Sequence, residues 1–192
     1  MKISDYTTEF LQYRKIKYGI CSSSVDKYRE GLKTIDKTMD YADLLSIDQN
    51  TIFNWIGQLE KRYSSHTRRS LVGLFRSLME YLKDVKKMDV FDYKEIALPK
   101  PEYKPVKYLS NKEVDEIIEQ LPEKHLRDLR FKALFCLLVS SGGRINEVLN
   151  IELDDVDFEN REALVLGKGK KYRKIFFDER AEHYIKKFIS KR

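Results

Sequence analysis

The sequence has little of what secreted and membrane-embedded proteins require. Two cysteines, Cys21 and Cys136, occur in 192 residues, which argues against a disulfide scaffold and for a reducing compartment. The first residues, MKISDYTTEFLQYRK, lack the apolar core of a signal peptide. No stretch approaches the roughly 20 apolar residues of a membrane span. These absences predict a cytoplasmic protein that does not enter a membrane.

Proline is also scarce, and its placement divides the chain. Three of the four prolines, Pro99, Pro101 and Pro105, fall in ALPKPEYKPVKY. Proline disfavours helix at its own position and at the residue before it, so this segment is predicted to be extended. The sequence therefore predicts a first domain, a linker and a second domain at residues 1–98, 99–107 and 108–192.

Positive charge is present in excess. There are 37 Lys and Arg residues against 31 Asp and Glu, a net charge of +6. The excess is even, because residues 1–98 hold seventeen cations against fourteen acids and residues 99–192 hold twenty against seventeen. A basic balance favours a polyanionic partner such as nucleic acid, although charge alone does not identify one.

Residues 1–98 contain four amphipathic helical patterns. Apolar side chains recur at helical spacing in SDYTTEFLQYRKIKYG, SSSVDKYREGLKTID, DQNTIFNWIGQLEKR and SSHTRRSLVGLFRSLMEYLKD. The serines that open the second pattern are suited to a helix N-cap. Four such helices with short connections predict a helical bundle whose core holds the apolar and aromatic stripes.

The second domain is predicted to begin with helices. Ser110 followed by Glu113 forms a capping box before an apolar run. The segment DLRFKALFCLLVSS is apolar nearly all round, which predicts a buried helix that Gly142 and Gly143 end. The next segment, INEVLNI, predicts a second helix.

In that second helix, Ile145, Val148 and Leu149 are expected to face inward. Three short strand patterns follow, in DDVDF, EALVLG and YRKIFF, with Asn160 in the first turn. The predicted fold is mainly α with a small antiparallel β-sheet.

Arg144 is a permanent cation placed directly after a buried helix. Its guanidinium offers a flat fork of donors that suits a phosphate or another oxyanion near a helix start. A salt bridge with Glu147 or Asp155 also explains the position, and position alone favours that structural role.

The turn GKGKKYRK concentrates positive charge on a tight ribbon. It carries five cations: Lys168, Lys170, Lys171, Arg173 and Lys174. Such a ribbon could contact a phosphate backbone, or it could be a solvated hairpin without a ligand. The glycines on either side of Lys168 leave that side chain the least hindered.

In order and spacing, four segments resemble the tyrosine recombinases, the phage-integrase and Xer family, over essentially the whole chain. These are SSHTRRSLVGLFRSLMEYL, YLSNKEVDEIIEQL, SSGGRINEVLNIELDDVDF and LVLGKGKKYRKIFF. The resemblance implies an N-terminal four-helix core-binding (SAM-like) domain, followed by the N-terminal part of an α+β catalytic domain. It also implies that double-stranded DNA is the partner.

The resemblance implies a role for each matching residue. Arg144 would bind the scissile phosphate and stabilise charge in the transition state, and Glu147 would support Arg144. Lys168 would protonate the leaving 5′-oxygen as a general acid. In the family, a C-terminal tyrosine attacks the phosphate, and neither a metal nor another cofactor is needed.

The match is incomplete after Lys174. The segment IFFDERAEHYIKKFISKR has no His-x-x-Arg motif, because Lys186 stands three residues after His183. Tyr184 comes too early to be the nucleophile. A literal His-x-x-Arg at His66 lies in the helical domain, out of order. Gly143 also stands where the family usually has an apolar residue.

These departures predict a recombinase-family chain that is inactive by itself. Its DNA contacts are expected to include Arg68 and Arg69 near a helix start, and Lys170, Lys171 and Arg173 on the hairpin. A full-length or complementary recombinase subunit, or a second copy, is a possible partner on nucleoid, viral or plasmid DNA. The alternatives are a non-catalytic DNA-binding regulator of a full-length recombinase and a helical protein-interaction module.

Overall fold

The computed structural model describes residues 1–103, 105–167, 169 and 171–192. The chain divides into two compact units, Met1–Pro105 and Val106–Arg192. The division falls inside the proline-rich segment. Both units are mainly helical, and the second adds a small antiparallel sheet, which confirms the predicted fold class. In the part of the chain that is described, no helix has the length and apolarity to cross a bilayer.

The first unit contains the four predicted helices. They are α1 (Ile3–Tyr18), α2 (Ser22–Thr38), α3 (Gln49–Arg62) and α4 (Ser65–Glu80). A π-helical turn, Tyr81–Val85, continues α4, and a 3-10 turn follows at Tyr93–Glu95. Asp48 and Ser64 cap α3 and α4 with their side-chain oxygens, as N-cap residues do.

The start of α2 differs from its prediction. The serines lie inside the helix, and Cys21 occupies the N-cap. The hydroxyls of Ser23 and Ser24 each lie 3.2 Å from the Cys21 sulfur instead of capping the backbone. The hydrogen bonds from these two serines lower the pKa of the exposed Cys21 thiol to about 7.

Aromatic and aliphatic side chains from all four helices form the core of the first unit. Trp55 is 2% exposed and packs its ring on Phe75 at a centroid distance of 5.3 Å. Its indole N–H donates to Thr38 Oγ1 at 2.9 Å, so its polar atom is satisfied inside the core. Burial of each such large side chain stabilises the unit by roughly 1.5–3 kcal/mol.

The second unit places helices around a three-stranded sheet. Its elements are α5 (Asn111–Gln120), α6 (Leu126–Ser141), α7 (Ile145–Leu149), a 3-10 turn (Leu153–Asp155), β1 (Val156–Asp157), β2 (Glu162–Leu166), β3 (Tyr172–Phe176) and α8 (Glu179–Ser190). The strands pair antiparallel in the order β1-β2-β3. Leu166 pairs with Tyr172 at the turn and Glu162 with Phe176 at the far end.

Two predicted helix boundaries are confirmed. Ser110 Oγ accepts the N–H of Glu113 at 3.3 Å, and the Glu113 carboxylate accepts the N–H of Ser110 at 2.8 Å. Gly142 ends α6 in the left-handed conformation, with φ of 59°, which glycine adopts without a Cβ clash.

The predicted burial of α6 and α7 is partly wrong. The buried positions of α6, including Leu129, Ala133 and Cys136, recur every three or four residues and form one stripe. Phe131 lies off that stripe and is 54% exposed. In α7 only Val148 of the predicted inward residues is buried, because a five-residue helix turns few positions toward one side. The other two, Ile145 and Leu149, are 56% and 46% exposed.

Candidate functional site

Arg144 occupies the N-cap of α7, three residues after Ser141, the last residue of α6. A Cβ on Gly143 would lie 2.8 Å from Val148 Cγ2 and 3.1 Å from Ser141 Oγ. Only glycine fits this approach of the two helices without displacing a neighbour. Glycine at position 143 therefore has a packing reason.

Glu147 is the buried centre of the site. Its Oε1 accepts Arg144 Nη1–H at 2.7 Å, and its Oε2 accepts the Arg144 backbone N–H at 3.0 Å. Arg173 Nη2 also donates to Oε2, at 2.7 Å. Glu147 is 5% exposed, while 67% of the Arg144 side chain is exposed. A buried carboxylate requires such partners, and Arg144 satisfies one while still facing solvent.

Glu147 is ionised at neutral pH. The Arg173 hydrogen bond is the strongest influence on its pKa, followed by the Arg144 guanidinium and the Arg144 backbone N–H. Together they lower the pKa of Glu147 from 4.5 to about 2. The carboxylate therefore carries a full negative charge between the two guanidinium groups.

The base of the β2–β3 hairpin reaches the same carboxylate. The Gly167 N–H donates to Lys171 O at 2.8 Å and closes the turn. A Cβ on Gly167 would lie 3.2 Å from Glu147 Oε1 and 3.3 Å from Lys171 O. Gly167 thus lets the hairpin base lie directly against Glu147. Lys168 and Lys170, which the sequence predicts as site residues, lie outside the described residues.

The other predicted DNA contacts differ in their surroundings. Lys171 and Arg69 are exposed, and Arg69 Nη1 donates to Pro99 O at 2.9 Å. Arg68 is only 12% exposed at its side chain and pairs with Glu60 at 2.6 Å. Because its guanidinium is turned inward, Arg68 is poorly placed to meet a phosphate.

The sequence interpretation missed the partnership of Arg173 with Glu147. Arg173 is two residues before Ile175, which is buried, so the two side chains share one face of β3. A cation on the core-facing side of a strand was the available signal. The interpretation instead grouped Arg173 with the cations of the turn.

Tyr184 is part of the packing of the second unit. It is half-buried, and its ring lies 4.7 Å from the Nζ of Lys132. Like Ile185, it packs against the hydrophobic core of the second unit. Within the ranges that are described, no group of three or more His, Cys, Asp or Glu side chains could hold a metal ion.

Sequence comparison finds relatives along nearly the whole chain. Residues 107–192 match the model of the phage integrase family. The chain is 25% identical to tyrosine recombinase XerC of Bacillus subtilis over 98% of its length, and 25% identical to XerD of Haemophilus influenzae over 94%. It spans 63% and 62% of the length of these two relatives.

Solved structures show the same fold. The XerH site-specific recombinase, bound to a palindromic difH substrate, is 20% identical with a TM-score of 0.73, and the match covers 97% of this chain and 68% of that one. The Tn1549 transposon integrase, in complex with circular intermediate DNA, is 16% identical with a TM-score of 0.65, and the match covers 100% and 66%.

The fold is therefore that of the tyrosine recombinases. Within it, Arg144, the buried Glu147 and Gly167 at the base of the hairpin lie next to one another. Residues 107–192, which make up nearly all of the second unit, are the part of the chain that matches the phage integrase family.

Proposed function

We propose that this chain is the DNA-binding and phosphate-orienting part of a tyrosine site-specific recombinase. The observation that carries the proposal is the pairing of exposed Arg144 with buried Glu147 at the start of α7. Such a pair fixes the direction of the guanidinium while leaving donors free for an oxyanion.

Arg144 would act on the scissile phosphate. Its charge is permanent near neutrality, and a guanidinium that is already oriented stabilises developing charge without reorganisation. Glu147 would hold Arg144 in place. Lys168, next to Gly167 in the sequence, would donate a proton to the leaving 5′-oxygen.

The DNA surface of the chain would include Arg69, Lys171 and Lys170. Arg69 is the fifth residue of α4, and the two lysines lie in the sequence between β2 and β3. The two structural relatives described above are complexes with DNA. Double-stranded DNA is therefore the proposed partner. A full-length or complementary recombinase subunit would supply groups that these 192 residues lack, and a second copy of this chain is the alternative protein partner.

Strand cleavage is proposed to require residues beyond these 192. A covalent intermediate needs a nucleophile, and Tyr184 is held in the packing of the second unit. We expect no covalent protein–DNA adduct when this polypeptide is incubated with nicked duplexes and the products are resolved under denaturing conditions. An adduct that disappears in Tyr184→Phe would contradict this assignment.

Binding to duplex DNA tests the proposal itself. Fluorescence anisotropy with a labelled random-sequence duplex at low salt should show saturable binding that weakens as salt is added. Absence of binding would instead favour a protein-interaction module. Binding without any effect of Arg144→Gln would favour a DNA-binding regulator whose Arg144 is structural.

A further inference from the structure

Arg173 and Arg144 divide the two oxygens of one buried carboxylate. Glu147 Oε1 accepts from Arg144 Nη1 and Oε2 from Arg173 Nη2, each at 2.7 Å. The Arg144 backbone N–H also reaches Oε2. Among the contacts of the described residues, the Arg144 side chain is thus held through one of its five donors.

We propose that Arg173 is a positioning residue for the phosphate site and not an independent DNA contact. While Arg173 occupies Oε2, Glu147 cannot grip Arg144 with both oxygens in the fork geometry that carboxylates and guanidiniums prefer. The remaining donors of Arg144 therefore stay available to a phosphate. The inference rests on the proposed role of Arg144.

Charge supports the same assignment. Two guanidinium groups around one carboxylate leave a net charge of +1 at the site. Without Arg173, the pair of Arg144 and Glu147 would be neutral. Water screens the Glu147 carboxylate, which is 5% exposed, less than a carboxylate at an open surface, whereas the side chains of Arg144 and Arg173 are 67% and 43% exposed.

Arg173 also ties the hairpin to α7. It lies on β3, and a Cβ placed on Gly167, the residue after β2, would lie 3.2 Å from Glu147 Oε1. The Glu147 carboxylate thereby contacts both the base of the hairpin and the guanidinium of Arg144. The low pKa of Glu147, for which Arg173 is the strongest cause, agrees with this tight arrangement.

A double-mutant cycle on duplex binding tests the proposal. Affinity for a random-sequence duplex is measured for the wild type, Arg144→Gln, Arg173→Gln and the double variant. Arg144→Gln should weaken binding about tenfold, the loss of one charge-assisted hydrogen bond. Arg173→Gln should weaken it by a similar factor. The double variant should bind no more weakly than Arg144→Gln, because Arg173 acts through Arg144.

Lys174→Gln is the matched control. Lys174 is the neighbour of Arg173 on β3, and Lys174→Gln removes one cation just as Arg173→Gln does. Lys174, however, pairs with Glu162 and not with Glu147. Any effect of Lys174→Gln should be the same with and without Arg144. Arg173→Lys should restore most of the affinity, since an ammonium can still occupy Oε2.

Slower exchange of the Arg144 guanidinium protons in Arg173→Gln, followed by NMR without DNA, would report the two-oxygen grip directly. Unchanged exchange overturns the proposal. If Arg173→Gln does not fold, Arg173→Met keeps the apolar stem and enters the same cycle and the same NMR comparison.

Two results of the cycle separate the claims. If Arg173→Gln weakens binding as much in Arg144→Gln as in the wild type, Arg173 is an independent contact and this inference is overturned alone. If Arg144→Gln itself has no effect, the proposed phosphate role of Arg144 is wrong and the inference falls with it.

Discussion

At the scale of single residues, the sequence left two interpretations of Arg144 open. Position alone favoured a salt bridge, and the resemblance implied a phosphate ligand. The structure contains the salt bridge with Glu147 and still leaves 67% of the Arg144 side chain exposed. A structural ion pair and a functional arginine are therefore compatible in the same residue.

The pH dependence of stability should report Glu147. Its folded pKa of about 2 lies below the ordinary 4.5, so its ionisation stabilises the fold fully above about pH 4.5 and progressively less as pH falls toward 2. Thermal unfolding of wild type and Glu147→Gln should differ most at neutral pH and converge near pH 2. A difference that stays constant over this range would show that the carboxylate is not held as described.

Gly143→Ala should destabilise the second unit. The new Cβ would meet Val148 Cγ2 at 2.8 Å, and overpacking of this kind typically costs about 1–3 kcal/mol. Gly57→Ala in α3 is the control, since its Cβ meets nothing within 4 Å and alanine favours a helix by roughly 0.5–1 kcal/mol. Chemical denaturation measures both. Equal stability of the two variants would contradict the packing account of Gly143.

At the scale of elements, most helices and strands could be predicted from the spacing of apolar residues and from helix-capping residues. The four helices of the first unit, the capping box of α5 and the three strands follow from local patterns that tertiary packing did not override. Burial in α6 and α7 was less predictable, because a uniformly apolar helix does not indicate which side packs. Phe131 on α6 was predicted to be buried for that reason but is exposed, and Ile145 is exposed because the five-residue α7 turns few positions toward one side.

The buried Lys132 on α6 depends on a carboxylate that also contacts α8. Lys132 on α6 is 3% exposed, and its Nζ donates to Glu123 Oε1 at 2.7 Å and to Leu121 O at 3.3 Å. Lys187 on α8 also pairs with Glu123. The carboxylate thereby joins two helices, and the pKa of Glu123 falls to about 2 through Lys132 first and Lys187 second.

Removal of Glu123 should cost more than removal of Lys187. Glu123→Ala leaves a buried ammonium without its carboxylate, which is expected to destabilise the second unit by about 2–3 kcal/mol. Lys187→Ala removes a cation whose side chain is 35% exposed and should cost at most about 1 kcal/mol. Urea denaturation compares them. A larger loss in Lys187→Ala would show that Lys132 does not depend on Glu123.

At the scale of the whole molecule, the order of segments predicted more than any single motif. The helical region, the proline-rich strap, Arg144 and the cationic hairpin follow one another as in the tyrosine recombinases, and the matches to XerC and XerD extend over nearly all of the chain. The grouping of Arg144, Glu147 and Arg173 was beyond such reasoning. Residues 26 positions apart meet there, and only the folded hairpin brings them together.

The central claim is that Arg144 presents its guanidinium to a DNA phosphate. The most direct measurement is the dependence of duplex affinity on salt, plotted as log K against log salt concentration, for wild type and Arg144→Gln. Each phosphate contact contributes about 0.9 to the slope on B-form DNA. We predict a steep slope for the wild type and a slope smaller by about 0.9 for Arg144→Gln. Equal slopes would mean that Arg144 does not contact a phosphate and would contradict the account.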